Sequence, residues 1–450
     1  MASILAINDI IHTWQYLLMA STLNFLLIFF TALFITSESS VVRSPFRPNS
    51  LVLPVHKDSA TGLHIANIRK RTPQVSIPFL VDLNGNFLWV VCDKNYLSST
   101  YNAPFCHSTQ CSRAGDHYCH KCHSAVQPGC HNNTCAVMTI NPLTRRYTVG
   151  ELAQDVVSIQ SIQGSNTARI ATIPNFLFAC APSSLLQGPF PKSVQGVAGL
   201  GHAPVALPLQ LASHFGFPPQ FALCLASSNN TSGSILFGNV PFKLATGSDI
   251  SQSMAYTPLS IGPLAEYYIL VKSIKINNKT VPFNTSLLSS TRGFGGTMIS
   301  TTTPYTVLEH SIFTTFARFF VEQFVGVPQV ESVPPFGLCF NSHVLPPTRV
   351  GGYPNIDFVM QNRNVSWTIL GVDSLVNARP NVSCLAFVDG GLNTRAPIVI
   401  GAYQLEDHYL HFDLSNSKVG FSSSRQSHPV NCANINFTSA LTPEEDTMKD

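Results

Sequence analysis

Six cysteines between Cys106 and Cys135 follow the spacing C-x4-C-x7-C-x2-C-x7-C-x4-C, with His107, His117, His120, His123 and His131 set among them. Thiolates and imidazoles at such short intervals have two chemistries open to them: zinc ligation, or oxidation of the thiols to disulfides. Redox compartment divides the two, because zinc needs thiolate and an oxidising lumen removes it. The remaining cysteines, Cys92, Cys180, Cys224, Cys339, Cys384 and Cys432, bring the count to 12. An even number in a secreted chain predicts six disulfides and no metal site, with the central six open among 15 pairings.

The upstream sequence points to that compartment. An apolar run from Leu17 to Ile35 ends in Thr36-Ser37-Glu38-Ser39-Ser40, the h-region and cleavage zone of a secretory signal over residues 1–39. Ser21, Thr22, Asn24 and Thr31 interrupt the run, which favours a cleaved signal over a spanning anchor, so no membrane contact is expected after cleavage. Met19-Ala20-Ser21 repeats the opening Met1-Ala2-Ser3, and a start at Met19 would leave a signal of ordinary length. Eight Asn-x-Ser/Thr sequons, at Asn132, Asn229, Asn230, Asn278, Asn284, Asn364, Asn381 and Asn436, agree with a glycosylating lumen.

The elements that must hold these residues follow from composition and periodicity. The 450 residues are 45% hydrophobic and 11% charged, against a usual charged share of about a quarter, so the chain folds around cores and is not disordered. Lys plus Arg number 26 and Asp plus Glu 23, a net +3, too little for a phosphate-seeking nucleic-acid binder. The length exceeds what one core supports. Short apolar or alternating runs bounded by turn residues predict strands over Val75–Asp82, Phe87–Cys92, Leu152–Ile159, Phe176–Ala179, Ser234–Phe237, Tyr267–Ile276, Ile398–Ile400 and Tyr409–Phe412. Helical spacing predicts Leu207–Phe215 and Leu308–Phe324, the latter through Phe313, Phe316, Phe320 and Phe324. A mainly β, predominantly antiparallel protein follows. The Gly- and Ser-containing stretch Thr246–Ser253 divides it into an N-terminal β lobe, residues 40–250, and a C-terminal β lobe, residues 251–450.

Three strings then stand together: Phe79-Leu80-Val81-Asp82-Leu83-Asn84-Gly85 with Trp89 seven residues after Asp82, Gly196-Val197-Ala198-Gly199-Leu200-Gly201, and Met298-Ile299-Ser300-Thr301-Thr302. With Ile398-Val399-Ile400-Gly401 and Phe412-Asp413-Leu414-Ser415 their order resembles the pepsin-like aspartic proteases along the whole mature chain. The resemblance implies two β lobes flanking a cleft, with Asp82 matching the first catalytic aspartate and Ser300 standing where the second belongs. Leu83, Asn84 and Gly85 replace the residues that normally follow the first aspartate. Aspartic proteolysis needs two carboxylates sharing one proton, and a serine hydroxyl cannot take that role. The flap stretch Thr139–Thr144 also lacks the Tyr-Gly pair of the proteases, with Tyr147 the nearest substitute. Asp82 and Ser300 thus read as remnant positions of a chain that is not a protease and uses no cofactor.

Longer strings, among them Val91-Cys92-Asp93, Gly150-Glu151-Leu152-Ala153-Gln154-Asp155 and Cys432-Ala433-Asn434-Ile435-Asn436-Phe437, are similar to the plant group of extracellular dermal glycoproteins, basic 7S globulins and TAXI-type xylanase inhibitors. That resemblance implies an apoplastic protein that binds and inhibits a microbial glycoside hydrolase, a xylanase or a xyloglucan endoglucanase. In the TAXI-type members a histidine four residues before the last half-cystine enters the target's active site. Here His428 has that spacing to Cys432, and a cation between the two carboxylates of a retaining glycosidase would block it. His428 also has a plain reading as an exposed loop residue, one of 15 histidines in the chain. Two other functions stay open: a storage or binding protein like the basic 7S globulins, and an active aspartic endopeptidase using a carboxylate from outside the two standard loops.

Overall fold

The computed structural model describes residues 46–115, 118–162, 169–242, 249–289, 296–347, 352–422 and 430–434. The leader with its cleavage zone near Ser39, His117, His428 and Asn436 lie outside the described residues. The described residues from Arg47 onward pack as one compact unit.

Strands rich in Val, Ile and Phe build a 14-stranded sheet, a six-stranded sheet and two four-stranded sheets. In the largest, Ser50–Lys57 pairs antiparallel with Ser232–Gly238 and with His64–Lys70, which pairs in turn with Val75–Asp82. The same sheet crosses into the C-terminal half: Gln220–Cys224 pairs with Tyr409–Asp413, followed by Lys418–Ser422 and Met254–Pro258.

Each half contains the same local arrangement. In the first, Val75–Asp82 runs parallel to Gly196–Gly199, Leu88–Val91 lies antiparallel to that strand, and Leu88–Val91 runs parallel to Ile170–Ala181. In the second, Thr297–Ile299 runs parallel to Ile398–Ile400, Thr306–Leu308 lies antiparallel to it, and Thr306–Leu308 runs parallel to Phe387–Asp389. The glycines ending the central strands are required by close approach: a Cβ on Gly199 would collide with the carbonyl of Phe87, and one on Gly401 with that of Tyr305.

Strands form over all the predicted segments, with one strand and one helix differing in detail. The run Tyr267–Ile276 divides into Tyr267–Ile269, paired with Thr297–Ile299, and Val271–Ile276, paired with Ile356–Met360. The run Tyr267–Val271 is apolar throughout, so the change of sheet leaves no trace in the pattern. The helix Leu207–Phe215 has its predicted bounds and ends on Gly216 at φ 78°, a left-handed conformation suited to glycine. The second long helix is His310–Gln323 because Thr306–Leu308 is committed to the sheet and Glu309 caps the helix, accepting from Ser311 N and Ile312 N. Its Phe313, Phe316 and Phe320 are buried, as a core stripe should be.

All 12 cysteines are paired: Cys92–Cys180, Cys106–Cys119, Cys111–Cys135, Cys122–Cys130, Cys224–Cys432 and Cys339–Cys384.

Candidate functional site

The repeated arrangement gives Asp82 a counterpart. Asp82 stands opposite Gly199 in the parallel register of the first half. In the second, Ile299 stands opposite Ile400, which places Ser300 beside Gly401. Counting onward agrees: Trp89 lies opposite Val197 and Val307 opposite Val399, each seven residues after its site residue. Asp82 and Ser300 occupy equivalent positions in the two halves.

Their surroundings differ. Asp82 is buried, and its Oδ1 accepts from the backbone N–H of Asn84 at 3.0 Å. Burial pushes its carboxyl up to about 6, against the pull of that hydrogen bond and of the Arg395 guanidinium. Ser300 is fully buried, and its hydroxyl lies 3.0 Å from Thr303 Oγ1 and 3.4 Å from Thr302 Oγ1. A small hydroxyl cluster therefore stands where a second carboxylate would face the first.

The two site loops are stitched together from one side. Thr301 Oγ1 donates to the Val81 carbonyl at 2.8 Å and accepts from Leu83 N–H at 2.9 Å. Leu83, the counterpart of Thr301, has no hydroxyl to return these bonds. Asn84 supplies a substitute: its Nδ2 donates to the Ile299 carbonyl at 2.9 Å, and its Oδ1 accepts from Tyr267 N–H at 3.1 Å.

Above Asp82 opens a cleft of about 470 Å³, lined by Asp82, Asn86, Phe87, Trp89, Glu266 and Arg395 among others. Its lid is the hairpin of Thr134–Ile140 and Tyr147–Ser161, braced where Trp89 Nε1 donates to the Ile140 carbonyl at 3.2 Å. Tyr147 lines the cleft yet is 72% exposed. The carboxylate nearest in role to a replacement partner is Glu266, buried in the same cleft. Its Oε1 accepts from Arg395 at 2.9 Å and its Oε2 from Leu264 N–H at 2.9 Å, so both oxygens are engaged. Neither Glu266 nor Arg395 was marked by the sequence: they meet across 129 residues, and neither belongs to a recurring string. Thr301 and Asn84 lay inside the strings that carried the resemblance, but their contacts between the halves show only in three dimensions.

The predicted site residues otherwise fall as follows. The sequon asparagines Asn132, Asn229, Asn230, Asn278, Asn284, Asn364 and Asn381 are all exposed. The cysteine-rich segment is closed by three of the disulfides. The predicted inhibitory histidine, His428, lies outside the described residues. Among the described residues no helix is long and apolar enough to cross a membrane.

Comparison with known proteins follows the same lines. The family models for the xylanase inhibitor N-terminal and C-terminal regions match residues 64–239 and 266–423. Gamma conglutin 1 of Prunus dulcis is 52% identical over 432 residues, covering 94% of this chain and 99% of its own. Basic 7S globulin 2 of Glycine max is 48% identical over 439 residues, covering 94% and 100%. The crystal structure of edgp superimposes with a TM-score of 0.83 at 46% identity, over 88% of this chain and 99% of that one. An aspartic proteinase from Irpex lacteus, at 18% identity and a TM-score of 0.57, covers 86% of this chain and shares the two-lobed fold alone. On these matches the chain belongs to the plant family of TAXI-type xylanase inhibitors, basic 7S globulins and gamma conglutins, built on the pepsin-like fold.

Proposed function

We propose that this chain is a secreted, non-proteolytic protein of the plant cell wall that binds a microbial glycoside hydrolase and blocks it. One observation carries the loss of proteolysis: Asp82 has Ser300, not a second carboxylate, at the equivalent position. Sharing a proton between two acids is the means by which such sites activate water and polarise the carbonyl together, and one acid cannot do both. Glu266 does not substitute, because Arg395 and Leu264 N–H hold its oxygens. The glycoside hydrolase as partner is supported by the xylanase-inhibitor models over both halves. Secretion is supported by the 12 paired cysteines and the exposed sequons.

A second reading, a globulin that stores or binds without inhibiting, is favoured by the names of the relatives at 52% and 48% identity. The purified secreted protein is mixed at about pH 5, where histidine is largely cationic, with a panel of microbial xylanases and xyloglucan endoglucanases. Inhibition of one class is expected, and a His428→Ala variant reports whether that histidine enters the target. No inhibition across the panel moves the function to the globulin reading. Pepstatin-sensitive cleavage of a denatured protein in acid would overturn the non-proteolytic assignment.

A further inference from the structure

We propose that the cleft above Asp82 binds a small apolar molecule ending in a single carboxylate, a monocarboxylic acid with an aliphatic or aromatic body. The inhibitory contact proposed above does not draw on this cavity.

The walls select the body. Met138, Ile140 and Tyr147 lie on one face of the lid hairpin, Ile140 directly opposite Tyr147, and Leu264 lines the cleft from the C-terminal half. All four line the cavity and are between 37% and 72% exposed. Buried Phe87 and Trp89 add ring surface to the same lining. Large apolar side chains that converge on one cavity while open to water mark a ligand surface, unlike apolar residues scattered singly. The volume, about 470 Å³, is within the roughly 300–1,000 Å³ of small-molecule sites.

The polar groups select the head. The titratable and charged side chains lining the cleft are Asp82, Glu266, Arg145, Arg395, Tyr147 and Tyr268. Glu266 and Arg395 neutralise each other at 2.9 Å. Burial raises the Asp82 carboxyl to about 6, so in more acid solution it carries no charge, and burial raises the Tyr268 phenol further from that range. Arg145 is then the surplus charge, exposed and, among the described residues, in no ion pair. Its turn is held in place: Arg145 N–H donates to the Asn141 carbonyl at 2.8 Å, and the buried Asn141 amide donates to the carbonyls of Leu185 and Gln187. A guanidinium pairs with a carboxylate through two parallel N–H bonds, and a preset turn lowers the ordering cost of binding. Asn84 and Glu266 already engage their side-chain groups within the protein. A sugar or a peptide would therefore press unmatched hydroxyls or amides against Met138, Ile140 and Leu264. An apolar amine would meet a like charge at Arg145.

The test is calorimetry on the full secreted protein at about pH 5.5, with decanoate below its micelle-forming concentration as probe. Decanoate should bind, and decylamine, with the same chain and the opposite charge, should bind about tenfold more weakly or less. Arg145→Asn suits the left-handed backbone there, at φ 59°. It should weaken decanoate binding by about tenfold and leave decan-1-ol binding unchanged, and Arg145→Lys should recover part of the loss. Leu264→Ser should weaken decanoate and decan-1-ol alike by severalfold. Thermal midpoints should stay in place because both side chains are exposed. Absence of decanoate binding, equal or tighter binding of decylamine, or decanoate binding unchanged by Arg145→Asn would each overturn the proposal. No glycanase is present in the assay, so its outcome is independent of whether the protein inhibits one.

Discussion

Asp82 is held at a cost that the remaining fold absorbs. Its folded carboxyl, near 6, lies above the ordinary value of 3.8, so the folded state binds the extra proton between those values. Stability from this group falls as pH rises through the window, and the penalty is complete above it. Asp82→Asn keeps the acceptor for Asn84 N–H and removes the charge, so it should raise stability by on the order of 2 kcal/mol at pH 7. Chemical denaturation at pH 7 and pH 4 checks this, the gain vanishing at pH 4. Lys70 is the mirror case. It is fully buried, with its Nζ 3.4 Å from the centroid of the Phe178 ring, and burial lowers it to about 7 despite nearby Asp155. Between about 7 and its ordinary 10.5 the unfolded chain binds more protons, so stability rises with pH there and the penalty is full below 7. Lys70→Met should stabilise the protein by about 1–4 kcal/mol at pH 6 and flatten the rise above pH 7, both read from urea midpoints. Asp82 was readable from sequence because Trp89 fixes its place in a string; Lys70 shares the inward face of Ala66 and Ile68 by strand alternation, but His64–Lys70 is not among the segments the apolar pattern marks as strand.

Between elements, two among several sets of contacts that couple the halves can be tested singly. Thr301 alone supplies the hydroxyl that joins Val81 and Leu83 to the second site loop. Thr301→Val leaves a buried carbonyl and N–H without partners, and should cost about 3 kcal/mol in equilibrium unfolding; a loss below about 0.5 kcal/mol would mean water replaces the hydroxyl. The other contact joins the strands Ser50–Lys57 and His64–Lys70 to the turn after helix Ala402–Leu405. Lys57 Nζ lies 2.8 Å from Glu406 Oε2, and His64 Nε2 lies 3.6 Å from Glu406 Oε1. Burial pushes Glu406 up to about 7 against the opposing Lys57 charge, while burial and then Lys57 drive His64 down to about 3. Glu406 takes up a proton on folding and stabilises toward acid; His64 releases one and does the opposite. Over about pH 4.5–6.5 the two slopes cancel. Glu406→Gln leaves His64 unopposed, so the variant should lose stability relative to wild type by roughly 1.4 kcal/mol per pH unit as pH falls through that window. Parallel melting curves for the two proteins across pH 4–7 would show that the pair is not coupled to folding. Sequence patterning finds strands such as Val75–Asp82 and Tyr409–Phe412 because their apolar pattern is local, whereas Ser50–Lys57 and His64–Lys70 lie outside the segments it marks. It could not find Glu406 beside His64, or Glu266 beside Arg395, since these meetings are decided by sheet order over more than a hundred residues.

For the whole molecule, the 14-stranded sheet and the Cys224–Cys432 bridge run through both halves. Heating should therefore give a single calorimetric transition. Replacing both cysteines by serine removes a bridge between residues 208 apart, worth at most about 5 kcal/mol by loop entropy, and should broaden or split that transition; one sharp peak in the variant would show that the sheet alone couples the halves. The same feature governs synthesis. Gln220–Cys224 pairs with Tyr409–Asp413, which leaves the ribosome about 190 residues later, a delay of roughly 10–40 s. Throughout that interval the nascent first half carries an open strand edge ending in a thiol whose rightful partner has not been translated. The growing chain is thus most exposed to wrong disulfides and edge-to-edge association before Tyr409–Asp413 and Cys432 arrive, and its yield should depend on thiol isomerase more than its finished stability suggests.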